Sequence, residues 1–140
     1  MHDPVHALTA NNTVRRSAMK PLKLGELYDR GLKNFGSLSP EERDVFVVNE
    51  LDIYYEMEGG FEDYLLSRGH EAELSWLGDT LLRIGDAESG ALISRLRQMQ
   101  EHDRSAMGPL CRRFHELRHS RWRRLTGYLA EQDFEVDEQA

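Results

Sequence analysis

The stretch EMEGGFEDYLL, residues 56 to 66, sets Glu56, Glu58, Glu62 and Asp63 around a glycine pair, with Glu50 and Asp52 just upstream. Carboxylates crowded in this way can do three kinds of chemistry. Converging on one point, they hold a divalent cation or share a proton in acid–base catalysis. Arranged outward, they attract the lysines and arginines of a partner; spread out, they only solvate a face. Asp52 and Glu56 stand four apart, where like charges on a helix repel by a few tenths of a kcal/mol, so the crowding brings no folding gain. Side chains one turn apart lie ~5–6 Å from each other. That is near the phosphate spacing of a duplex, which carries a charge every ~1.7 Å of its axis. Asp52, Glu56 and Glu62 are the candidates for a metal or acid–base set. They lack a companion histidine or a substrate-binding motif, and no metal or cofactor is expected.

A second group sits in CRRFHELRHSRWRR, residues 111 to 124. Cys111, His115 and His119 recur every four residues and share one helix face. One straight helix spreads them over ~12 Å, too far for all three to reach a zinc ion at ~2.0–2.3 Å, so two could serve at most. Cys111 has no partner of the kind that activates a nucleophile. Around them, Arg112, Arg113, Arg118, Arg121, Trp122, Arg123 and Arg124 are the residue types that grip phosphates and stack on bases. The alternative use of these arginines is docking on acids, in the same molecule or across a homodimer. No Gly-rich phosphate loop, nucleophile elbow, CxxC pair or HExxH is present, and the chain reads as non-enzymatic.

The 140 residues carry a net charge of −7, distributed in opposed blocks. Residues 41 to 73 hold eleven acids against Arg43 and Arg68, and residues 112 to 124 hold six arginines against Glu116. The tail from Glu131 adds five acids and no base. Such blocks imply internal docking or two distinct partner surfaces. One cysteine excludes an internal disulfide, and no apolar run approaches the ~18 residues of a membrane span. The N-terminus lacks the apolar core of a signal peptide, so a cytoplasmic location is expected.

Helical periodicity supplies the elements that must position these groups. Residues 1–20 are polar and aperiodic and are expected to form a flexible extension, followed by a single domain over residues 21–130 and an acidic tail over 131–140. Leu24, Leu27, Tyr28, Leu32 and Phe35 fall on one face before Gly36. SLSPEERDVF carries a Ser39–Glu42 capping box with Pro40 in the first turn, opening a helix that runs to about Met57 with an acidic ridge of Glu42, Asp52 and Glu56. Gly59-Gly60 costs roughly 2 kcal/mol in a helix interior, and so predicts a corner, with Phe61 turned into the core. Leu74, Leu77, Leu81 and Ile84 form the next stripe, closed by Gly85. Asp86 caps a following helix with Leu92, Leu96 and Met99. Gly108-Pro109 predicts a further boundary, and a bend separates Leu117 from Trp122. DFEVDEQA alternates briefly without a second strand to pair with. About six helices in a compact all-α domain are expected.

FVVNELDIYYEMEGGFEDYLL followed by ELSWLGDTLLRIGDAESGALISRL resembles the bacterial DNA-mimic protein family, an all-helical family with a Gly-Gly-Phe turn. Gly59, Gly60, Phe61 and Tyr64 match the turn; Leu81, Ile84, Gly85 and Ala91 match the second block, over roughly residues 40 to 99. At position 58 this chain has Glu where the family usually has Asn, and the Arg-rich segment departs from a mimic's pattern. The resemblance implies a helical fold and a non-catalytic acidic domain that binds the basic face of a DNA-binding protein. Glu50, Asp52, Glu56, Glu58, Glu62 and Asp63 would be its surface, held in place by Gly59, Gly60 and Phe61.

Overall fold

The computed structural model describes residues 18–139. The proposed extension at residues 1–20 lies outside them except for its last three residues. Among the described residues seven α-helices follow one another: α1 (Leu24–Lys33), α2 (Pro40–Tyr55), α3 (Gly60–Leu66), α4 (Glu71–Arg83), α5 (Ala87–Arg97), α6 (Arg104–Glu116) and α7 (Arg118–Glu131). Two short strands, β1 (Lys20–Lys23) and β2 (Phe134–Asp137), close the chain ends in parallel, with Leu22 opposite Val136. The architecture is all-α, with one helix more than the periodicity predicts. FEVD does find a partner strand, KPLK, more than a hundred residues away. No helix among the described residues is long and apolar enough to cross a membrane.

The core is built around α2. Its N-terminus is closed by the capping box: Glu42 N donates to Ser39 Oγ at 3.2 Å, and Ser39 N donates to Glu42 Oε1 at 2.9 Å. From Asp44 to Val48 every side is buried, because α1, α3, α4, α6 and α7 all pack on this helix. Enclosure of that kind leaves no room for an open acidic ridge. Glu42 is held by Arg30, and the buried Asp44 accepts hydrogen bonds from Trp76 Nε1 (2.7 Å), Thr80 Oγ1 (2.9 Å) and Arg83 (2.6 Å).

α4 and α5 form an antiparallel hairpin turned at Gly85, whose φ of +74° is open to glycine at little cost. Asp86 caps α5 by accepting from Ser89 N at 3.1 Å. Gly108-Pro109 is not a boundary; both residues lie inside α6. Met107 and Cys111 are fully buried on either side of the proline, so tertiary packing overrides the missing N–H. The chain breaks instead at Leu117, between α6 and α7.

Candidate functional site

The glycine pair makes the corner between α2 and α3, and its two residues do different jobs. Gly59 takes the left-handed turn, with φ +71°. Gly60 permits close approach: a Cβ there would meet Tyr54 O at 2.4 Å. Phe61 is buried and meets Tyr55 and Phe114 edge-on, at ring-centroid distances of 6.4 and 5.6 Å. Tyr54 lies 4.9 Å from Tyr64 and 6.5 Å from His70.

The six acids assigned to one surface are divided by this corner. Glu50 faces the interior, 3% exposed, and accepts a hydrogen bond from Tyr64 Oη at 2.7 Å. Burial pushes its carboxyl up to about 7; the Tyr64 bond opposes the shift and the Glu73 charge adds to it. Asp52 is already neutralised. Arg121, 0% exposed, grips both of its oxygens at 3.1 and 2.9 Å, and His115 Nδ1 lies 3.0 Å from Oδ1. Glu50 and Asp52 are thus removed from the expected partner surface, one by burial and one by pairing. Asp63 stays exposed but is bound by Arg104 at 2.9 Å, which also holds Glu101 at 2.8 Å. The Glu101 and Asp63 carboxylates raise the Arg104 guanidinium above its ordinary value, Glu101 having the larger effect. Glu56 is exposed with an oxygen 3.5 Å from His115 Nε2. Glu62 is half-buried beside Cys111, whose thiol is pushed up to about 12 by burial first and the Glu62 charge second. Glu58 is exposed and, among the described residues, carries no ion pair.

The Arg-rich segment is likewise mostly spoken for. Beyond Arg121, Arg113 makes a two-point pair with Glu88 at 2.8 and 3.1 Å. Arg118 donates to His115 O at 3.1 Å and Arg124 to Gly85 O at 3.0 Å, while Trp122 packs half-buried on the core. Arg112, Arg123 and Arg124 are exposed without an ion pair among the described residues, and of these only Arg124 has a side-chain hydrogen bond, the one to Gly85 O. Internal docking, one of the uses open to these arginines, is the arrangement found. His115 faces Asp52 and His119 is exposed; no group of three His, Cys, Asp or Glu among the described residues could hold a metal ion.

What the corner does create is a cavity of about 350 Å³. Its aromatic walls are Tyr54, Tyr64 and His70, the last two stacked 3.7 Å apart and within 10° of parallel. Met57, Glu58, Gly60, Asp63 and Ser67 complete the lining, and no lysine or arginine contributes to it. Ring faces carry negative potential, so aromatic walls beside the unpaired Glu58 make the hollow attractive to a cation, while Asp63 is already held by Arg104. Periodicity assigns Tyr54 and Tyr64 to the core, and nothing in the spacing singles out His70. The legible signal was the coincidence of tyrosines and acids on both sides of one turn.

No protein-family model, curated protein or solved structure matches the chain.

Proposed function

We propose that the protein is a non-catalytic interaction domain that receives a lysine or arginine side chain of a basic protein partner in the cavity at the Gly59–Gly60 corner. The observation that carries this reading is the composition of that cavity: two tyrosines, a histidine and the exposed Glu58, which has no ion pair among the described residues, with no cationic side chain in the lining. Cation–π contact contributes ~0.5–2 kcal/mol. A charge-assisted hydrogen bond to Glu58 adds ~1.5–3 kcal/mol. One side chain then binds with a dissociation constant near ~1 mM, which corresponds to about −4 kcal/mol, so the remaining affinity has to come from the partner's surface. Glu56 and Glu62 flank the corner and add long-range attraction. DNA-binding proteins expose lysines and arginines on their functional faces, and the resemblance to the DNA-mimic family puts such a protein forward as the partner. With Glu50 buried and Asp52 paired, recognition would rest on the anchored side chain more than on a copied row of phosphates.

A titration with a short lysine- and arginine-containing peptide, followed by amide NMR shifts, tests the proposal. Shifts centred on Gly60, Tyr64 and His70, weakened in Glu58→Gln/Asp63→Asn, are expected. Shifts confined to the acidic C-terminus, or none at millimolar peptide, would overturn it. A gel shift with duplex DNA at two salt concentrations covers the arginine alternative: retardation with a steep salt slope would move the function to Arg112 and Arg123.

A further inference from the structure

The hairpin of α4 and α5 turns a second face to the solvent. Between the two helices runs a groove of about 760 Å³, bordered by Gly78 and Leu82 on α4 and by Ala87, Gly90, Ala91 and Ser94 on α5. Leu82 stands 80% exposed beside these small side chains. The edges are charged: Asp79 on α4 and Arg95 on α5 are both exposed, and among the described residues neither carries an ion pair.

We propose that this face is the contact of a symmetric homodimer, with α4 of each copy lying against α5 of the other. A large exposed apolar side chain and a set of small ones on the same face are what a self-complementary contact requires. Heights above the turn, at ~1.5 Å per residue, decide the arrangement. Leu82 comes three residues before Gly85, and Ala87 and Ala91 come two and six after it. A twofold axis parallel to the hairpin therefore sets Leu82 between Ala87 and Ala91 of the second copy. The same axis brings Asp79, six residues before Gly85, to the side of Arg95, ten after it. Their ~6 Å offset in height is within reach of an arginine side chain. Asp79 is among the residues lining the groove and Arg95 stands outside the lining on α5, so these pairs close the edges of a four-helix bundle. An axis across the helices would instead stack α4 on α4 and bring the two Asp79 carboxylates together. Charges of opposite sign on the two helices of the hairpin match a rotated copy of the same chain, which is why the occupant is a second protomer. The footprint is small. Helices ~16–20 Å long and ~8–10 Å apart offer well under the ~800 Å² per partner of a standard interface, so the dimer dissociates in the micromolar range.

Sedimentation equilibrium of the full chain from about 1 to about 500 µM is the test. A monomer–dimer equilibrium is expected. Leu82→Asp should weaken it by ~100-fold, and circular dichroism should show an unchanged fold because the side chain is exposed. Asp79→Arg and Arg95→Asp should each weaken it by ~5–10-fold, and their combination should restore it. A monomer throughout that range overturns the proposal. So does a dimer indifferent to Leu82→Asp and to the charge exchange, since another face would then hold it. The Glu58→Gln/Asp63→Asn variant should dimerise normally, which separates this contact from the corner cavity.

Discussion

At the scale of single residues, the charges that matter most are the ones taken out of water. Arg121 sits fully buried between the Phe114 ring, 3.8 Å from its guanidinium carbon, and the Asp52 carboxylate. Removing one member of such a pair strands the other, at a cost of about 3–5 kcal/mol. Asp52→Asn should therefore lower stability by about 3 kcal/mol in urea unfolding. Replacing both by apolar residues, as in Asp52→Leu/Arg121→Met, should cost less than the two single changes added together. This pairing left a sign in the sequence: Arg121 interrupts the every-fourth-residue stripe of Leu117, Leu125 and Leu129, the place where a charge demands a buried partner. Glu50 left a weaker one, because an acid among Val47, Val48 and Leu51 reads equally well as the edge of an exposed ridge. Its carboxyl ionises near 7 in the folded chain, above the ordinary 4.5. The folded state thus holds the proton more tightly than the unfolded one. The stabilisation is full below about pH 4.5 and is lost as pH rises through 7. Glu50→Gln should abolish that slope and leave the protein more stable than wild type at pH 8, by on the order of 2–3 kcal/mol, as read from urea midpoints at pH 4 and pH 8.

At the scale of elements, local chemistry fixed the ends of helices well and their interiors less well. Ser39 with Glu42, Gly85 and Asp86 act where the sequence places them, because caps are decided within four residues. Gly108-Pro109 misleads for the complementary reason: burial of Met107 and Cys111 is a tertiary fact, and it carries a helix through a residue that disfavours one. Pro109 is exposed and leaves Ser105 O without its i+4 donor, so Pro109→Ala should raise stability by about 1 kcal/mol and the melting temperature with it. The glycine corner is the opposite case, legible as a turn yet specific in a way spacing does not reveal. Gly60→Ala would drive a methyl group into the Tyr54 carbonyl, a backbone atom that cannot swing aside, and should cost about 3 kcal/mol. Gly59→Ala meets nothing within 4 Å and carries only the penalty of its positive φ, ~1–2 kcal/mol. Calorimetry on the two variants should rank them in that order. Only Gly60→Ala should also disturb the Tyr54 and Tyr64 resonances that report on the cavity, since it alone forces α3 away from the end of α2.

At the scale of the whole molecule, opposed charge blocks foreshadowed the docking of α6 and α7 on α2 and on the α4–α5 hairpin, and the pairs Asp52–Arg121 and Glu88–Arg113 are that docking made local. The closure of the chain was not foreshadowed. KPLK and FEVD are each four residues long, without turn or pattern to link them, and a parallel pair needs its crossover formed before it can close. Here the crossover is the entire helical domain. Asp133, at φ +67°, turns the chain out of α7 and accepts a hydrogen bond from Lys20 N at 2.8 Å, and from there the ladder runs to Asp137. Leu22 is buried beneath it. Since these contacts span more than a hundred residues, they form after the helices and belong to the last stage of folding. Interactions absent from the transition state slow unfolding when present and leave the folding rate alone. Truncation after Asp133 should expose Leu22 and remove the ladder bonds, a loss of roughly 2–4 kcal/mol. In stopped-flow urea kinetics nearly all of that loss should show as faster unfolding. A truncated chain that folds more slowly and unfolds at the wild-type rate would place the strand pair in the nucleus, ahead of the helices it encloses.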